Sequence, residues 1–150
     1  MLCFFVLIRR GFKLEVDVSK FEDSAPVGVT LLDDTGSTYM ELYMDDLELL
    51  GINPRYTGWS NWVTLYTANG AVRRRSIRIW VQLRDASERT MIPPTDILAV
   101  YIPERSEDNG YRCSGMWVRQ KLYQATAPDG QGMMFIGMRR NGVTSQLPAL

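Results

Sequence analysis

Val29-Thr30-Leu31-Leu32-Asp33-Asp34-Thr35-Gly36-Ser37 decides how this chain is read. An apolar run with strand-forming side chains meets two carboxylates and then a tight turn. Thr35 can hydrogen-bond locally, and Gly36 lets backbone approach backbone. Working outward, Thr38-Tyr39-Met40-Glu41 has the spacing of a capping box. Apolar residues at Tyr39, Tyr43, Leu47 and Leu50 then recur at helical spacing, so a short helix is predicted, with Gly51 as its C-terminal stop.

Apolar Leu31-Leu32, then Asp33, then Asp34-Thr35-Gly36-Ser37, followed some ten residues on by Asp45-Asp46-Leu47-Glu48-Leu49-Leu50-Gly51-Ile52, resembles the catalytic strand and following segment of retropepsin-like aspartic proteases. These are the single-domain proteases of retroviruses, retrotransposons and their cellular relatives. The resemblance implies a mainly β domain, a small closed barrel with one short helix and a flap hairpin. It implies an aspartic endopeptidase with Asp34 as the catalytic acid, and Thr35, Gly36, Ser37 and Asp33 as support of its loop. The chain holds one Asp-Thr-Gly, so two copies would each supply Asp34 across a two-fold axis. The substrate would be an extended peptide, and neither a metal nor an organic cofactor is implied. The alternative is the same fold used without catalysis, as a dimerisation or peptide-binding module; an unrelated small β-barrel is the third reading.

Composition narrows the chemistry independently. The 150 residues are 45% hydrophobic and 23% charged, enough for one domain with its own core. Domain boundaries are therefore set at 1–150. Histidine is absent, which excludes Ser-His and Cys-His catalysis and His-ligated metals. Cys3 and Cys113 make neither a disulfide framework nor a zinc site and read as free thiols in a reducing compartment. Basic and acidic residues balance at 17 each, so the global charge favours neither nucleic acid nor an anionic membrane. The apolar start, Met1 to Ile8, is too short to span a bilayer and lacks the marks of a signal peptide. Residues 1–11 are expected to form an N-terminal strand or extension of a cytoplasmic protein.

Along the rest of the chain, Phe12, Leu14, Val16 and Val18 alternate with polar residues as in a half-buried strand. Residues 62–83 are predicted as a long hairpin turning at Thr67-Ala68-Asn69-Gly70, because Asn-Gly is a strong hairpin signal. Its place after Asp-Thr-Gly resembles the family's flap. Arg73-Arg74-Arg75 is the only basic cluster in the sequence; it could touch nucleic acid or an acidic peptide, and the favoured reading is a charged, solvated strand edge. Asp85 to Pro94 is expected as polar loop, Ile97 to Ile102 as a strand, and 103–115 as an exposed insertion. Met116 to Ala125 fits a strand or a short helix. Met133 to Gly137 is expected as the last apolar strand. Phe135-Ile136-Gly137 resembles the family's closing apolar-apolar-Gly strand, and the resemblance implies that it crosses beneath the Asp34 loop, with Gly137 structural because bulk there would collide with that loop. In many viral relatives an Asp four residues after the catalytic one pairs with an Arg after the closing glycine; the matching positions here are Thr38 and Met138.

Asp33 stands where relatives carry an apolar residue. Strand alternation points it away from Asp34 and into its own subunit, where it needs a cation or backbone donors. Arg139 and Arg140 are the expected partners. A one-residue shift would instead make Asp33 the acid.

Overall fold

The computed structural model describes residues 7–8, 11–34, 36–85, 87–103, 112–126 and 134–147. In chain order the strands are β1 (Leu7–Ile8), β2 (Gly11–Ser19), β3 (Val27–Leu32) and β4 (Met40–Leu42), followed by helix α1 (Met44–Leu49). Then come β5 (Trp59–Thr67), β6 (Gly70–Arg84), β7 (Thr90–Tyr101) and β8 (Arg112–Cys113). Helix α2 (Trp117–Lys121), β9 (Tyr123–Thr126), β10 (Met134–Gly137) and helix α3 (Arg140–Thr144) complete the described chain.

The architecture is mainly β, with a nearly closed, barrel-shaped sheet. Its strands run in the order β4-β7-β6-β2-β3-β8, with β1 added to β2 and β5 to β6. β2 and β3 form an antiparallel hairpin whose register sets Leu14 against Leu31 and Val16 against Val29. These four side chains are buried, and strand alternation delivers them to one face. From β6, Ile77, Ile79, Val81 and Leu83 enter the same core. The N-terminal extension contributes Leu7 and Ile8, which pair with Phe12 and Gly11; residues 1–6 lie outside the described set.

Several expectations are corrected. The helix starts at Met44, not after Thr38, because Met40 and Leu42 alternate inward as a strand beside β7. Its N-terminus is held by Asp46, whose carboxylate accepts the Tyr43 N–H at 2.8 Å. Gly51 ends it as expected, at φ +67° with its N–H on the Glu48 carbonyl. The polar stretch after Asp85 is a tight turn, and β7 begins at Thr90. Pro93 and Pro94 fall inside that strand where the β6–β7 register shifts, between Val81 and Leu83, and neither has a partner in the β6 register. Within 103–115, residues 104–111 lie outside the described set, but Arg112 and Cys113 form β8 and Ser114 and Gly115 are buried. That end of the segment is core, not exposed insertion.

The largest correction concerns the crossing strand. Among the described residues β10 pairs only with β9, in a separate two-stranded sheet. Gly137 faces α3, where an added Cβ would lie 3.1 Å from Val143 Cγ2, and it does not approach the Asp34 loop. The strand beside that loop is β8, parallel to β3 with Leu31 against Arg112 and Leu32 against Cys113. On its other side Cys113 N–H donates to Glu41 Oε2 at 3.1 Å, so β8 runs between β3 and β4 and nearly closes the barrel.

Two ionic features stabilise this frame. Arg112 forks onto Asp46, with Nε 2.6 Å from Oδ2 and Nη2 2.5 Å from Oδ1, tying β8 to α1. Its guanidinium also lies 5.3 Å from the Tyr43 ring centre. The Asp46 side chain is 2% exposed and that of Arg112 13%. Arg112→Met should cost about 3 kcal/mol, because it leaves a buried carboxylate without its cation. Urea denaturation checks this; an unchanged midpoint would mean the pair is not holding the two elements together.

The second feature is the turn after β6. Asp85 Oδ1 accepts the N–H groups of Ser87 and Arg89 at 2.8 and 3.0 Å, and Arg89 Nε donates to Oδ2 at 3.0 Å. Burial pushes the Asp85 carboxyl up, but these donors and the Arg89 charge outweigh it and hold the pKa below the usual aspartate range. The turn therefore contributes stability above about pH 4, the unfolded aspartate value, and loses it as pH falls through the lower folded value. Asp85→Asn should flatten the acid limb of the stability curve, measured as denaturation midpoints from about pH 2 to 5. An unchanged acid limb would contradict it.

Candidate functional site

The loop between β3 and β4 carries Asp33, Asp34, Gly36 and Ser37; Thr35 lies outside the described residues. Asp34 is half-buried at the end of β3. Gly36 N–H donates to Asp34 Oδ1 at 2.8 Å, so the turn curls back onto its own carboxylate. Asp34 N–H reaches the Ser114 hydroxyl at 3.4 Å, and Ser114 N–H donates to the Leu32 carbonyl at 2.8 Å. Ser114, just after β8, thus fixes the backbone at Asp34, while Gly36 sets the direction of the carboxylate. Ser37 closes its own turn, donating to the Tyr39 carbonyl at 2.8 Å.

Gly115 makes the crossing possible. It sits at φ +73°, and a Cβ there would lie 2.5 Å from the Tyr39 carbonyl carbon and 2.6 Å from the Met40 nitrogen. Only glycine adopts that conformation at that distance without displacing backbone. The glycine packed against the backbone beside the Asp34 loop is therefore Gly115, not Gly137 as expected. The residue after it is Met116, whose N–H donates to the Thr38 carbonyl at 3.4 Å. Thr38 and Met116, rather than Thr38 and Met138, are brought together.

Asp33 points away from Asp34 into its own chain, as strand alternation requires. Its side chain is 2% exposed, and Oδ2 pairs with Arg119 Nη2 at 3.0 Å. Arginine pairing was expected; the partner is on α2, not Arg139 or Arg140, because α2 follows the true crossing segment. Asp33 Oδ1 is buried and makes no hydrogen bond among the described residues.

Cys113 and Glu41 complete the patch. Burial pushes the Cys113 thiol up, and the neighbouring Glu41 and Asp34 carboxylates push it further, so it stays protonated between two acids. The sequence reads Cys113 as a free thiol and Glu41 as part of a capping box, and assigns neither to this patch. Cys113-Ser114-Gly115 has no apolar pair before its glycine, while Phe135-Ile136-Gly137 does, so the sequence drew attention to the latter. The available signal was a small-residue pair ending in glycine just before Trp117-Val118, both buried on α2.

The Thr67–Gly70 turn caps the β5–β6 hairpin, which runs from Trp59 to Arg84. Thr67 Oγ1 accepts the Asn69 N–H at 3.2 Å and donates to the Gly70 carbonyl at 2.9 Å, and Gly70 takes φ +109°. The hairpin's base packs on α1: Trp59 and Arg75 line a small apolar cavity with Met44, Leu47, Ile52 and Tyr101.

Among the described residues no group of three His, Cys, Asp or Glu could hold a metal ion, and no helix is long and apolar enough to cross a membrane. Compared with protein-family models and with curated proteins, the chain matches none of either.

Proposed function

We propose that the protein is an aspartic endopeptidase of the retropepsin-like kind, working as a homodimer. The observation that carries this reading is the Asp34 loop. Its acid lies two residues past the end of β3, its carboxylate accepts the Gly36 N–H, and β8 runs between β3 and β4 with the close-packed Gly115 two residues after it. Each chain has one such loop, so the second acid comes from a partner copy. Two Asp34 carboxyls about 3 Å apart would share one proton, since both cannot ionise at that distance. The ionised member takes a proton from a trapped water as that water attacks the scissile carbonyl. The protonated member donates to the carbonyl oxygen, giving a tetrahedral diol. The carboxyl that took the water's proton then gives it to the leaving nitrogen as the C–N bond breaks, and the other carboxylate takes a proton from the diol, restoring the shared proton. The peptide lies extended, held by main-chain hydrogen bonds under the hairpin tip at Thr67–Gly70 acting as a flap.

A second reading, a dimerisation or peptide-binding module without catalysis, draws on Thr38 and Met116. These neighbours carry no charge where viral relatives place an Asp–Arg pair. A mixed peptide library decides between the two, with cleavage and sedimentation followed over the same concentration range. The enzyme reading expects cleavage per chain to rise as the dimer forms. A dimer that cleaves nothing favours the module. Full cleavage by a monomer overturns the shared site.

A further inference from the structure

The β5–β6 hairpin carries a charge pattern that the barrel uses only in part and the proposed site not at all. From Trp59 to Arg84 the sequence holds five arginines and no Asp or Glu, so all 17 acidic residues lie elsewhere. The overall balance, which argued against nucleic acid, conceals a basic ribbon on an otherwise acidic chain. Arg78 is paired with Asp96, and Arg84 with Asp17 and Glu88. Arg73, Arg74 and Arg75 have no carboxylate partner among the described residues.

Register decides what lies together. Trp62 is opposite Arg75, Thr64 opposite Arg73 and Tyr66 opposite Ala71, so these side chains share one face of the ribbon. Trp62 is 55% exposed and Tyr66 87%. The Arg73 guanidinium lies 5.6 Å from the Trp62 ring centre and that of Arg75 6.0 Å, with Arg75 also 4.5 Å from Trp59. Large rings left in water beside unpaired guanidinium groups form a surface that is both stacking and cationic.

We propose that this face binds single-stranded nucleic acid, with Arg73 and Arg75 on phosphates and Trp62 and Tyr66 stacking on bases. An acidic peptide would satisfy the arginines but leaves the rings without a partner. Bases supply a π-face at each nucleotide, and stacking with phosphate contact is how sequence-tolerant single-strand binding works. The proposal does not rest on protease activity.

Fluorescence anisotropy of the full chain with a labelled oligo-uridine of about 12 nucleotides tests it. With two phosphate contacts, affinity should fall about 7-fold from about 50 to 200 mM salt. The Arg73→Ala/Arg75→Ala variant should lose that salt dependence and bind at least about 10-fold more weakly, while Arg73→Lys/Arg75→Lys keeps it. Trp62→Ala should weaken binding by about 5-fold or more with the salt slope unchanged. Circular dichroism melts confirm that each variant is folded. No binding at low salt, binding unaffected by these variants, or equal displacement by poly-glutamate would overturn the proposal, the last in favour of an acidic polypeptide.

Discussion

Asp34→Asn is expected to lower kcat/KM for peptide cleavage by about 1,000-fold or more, the scale lost with a positioned acid–base group. The folding midpoint should barely move. An asparagine carbonyl can still accept the Gly36 N–H, and the Asp34 N–H still reaches Ser114. Asp33→Asn should do the reverse. Its carboxylate is buried against Arg119, so neutralising it should cost about 1–3 kcal/mol of stability while cleavage persists in the folded fraction. The two variants separate chemistry from support within adjacent residues. If Asp34→Asn keeps activity and folded Asp33→Asn loses it, the roles are exchanged. If neither changes cleavage, the endopeptidase reading fails.

Gly115→Val should destabilise the fold by about 5 kcal/mol. A β-branched residue at φ +73° is strained, which costs about 1–3 kcal/mol. Its Cβ also meets the backbone of Tyr39 and Met40 at 2.5–2.6 Å, and backbone in a strand cannot swing aside as a side-chain tip can. Overpacking adds about 1–3 kcal/mol or more. The melting temperature should drop by about 10–20 °C for a domain of this size. Gly137→Ala is the control. Its nearest obstacle is the Val143 side chain at 3.1 Å, and no positive φ is involved, so about 1 kcal/mol is expected. Equal effects at the two positions, or no effect at Gly115, would remove the case for β8 as the crossing strand.

Local pattern was enough for the elements whose periodicity is plain. Alternation in Leu14–Val18 and Ile77–Leu83 wrote β2 and the second half of β6 into the sequence, because each apolar side chain had one face to go to. Asn69-Gly70 marked the hairpin turn, Gly51 the helix stop, and alternation past Leu32 pointed Asp33 inward. Local pattern failed where two distant segments compete for one place. Phe135-Ile136-Gly137 has the better local signature for the strand beneath Asp34, yet Arg112–Gly115 occupies it. What separates them is the Arg112–Asp46 fork, the Cys113–Glu41 and Ser114–Leu32 bonds, and a positive-φ glycine against the Tyr39 backbone. Each links residues about 66 to 82 positions apart, so no window of sequence contains both partners. The same holds for Arg119, which reaches Asp33 only because α2 follows the true crossing segment, and for the hairpin's charge, hidden within a neutral total until strand register gathered it onto one face.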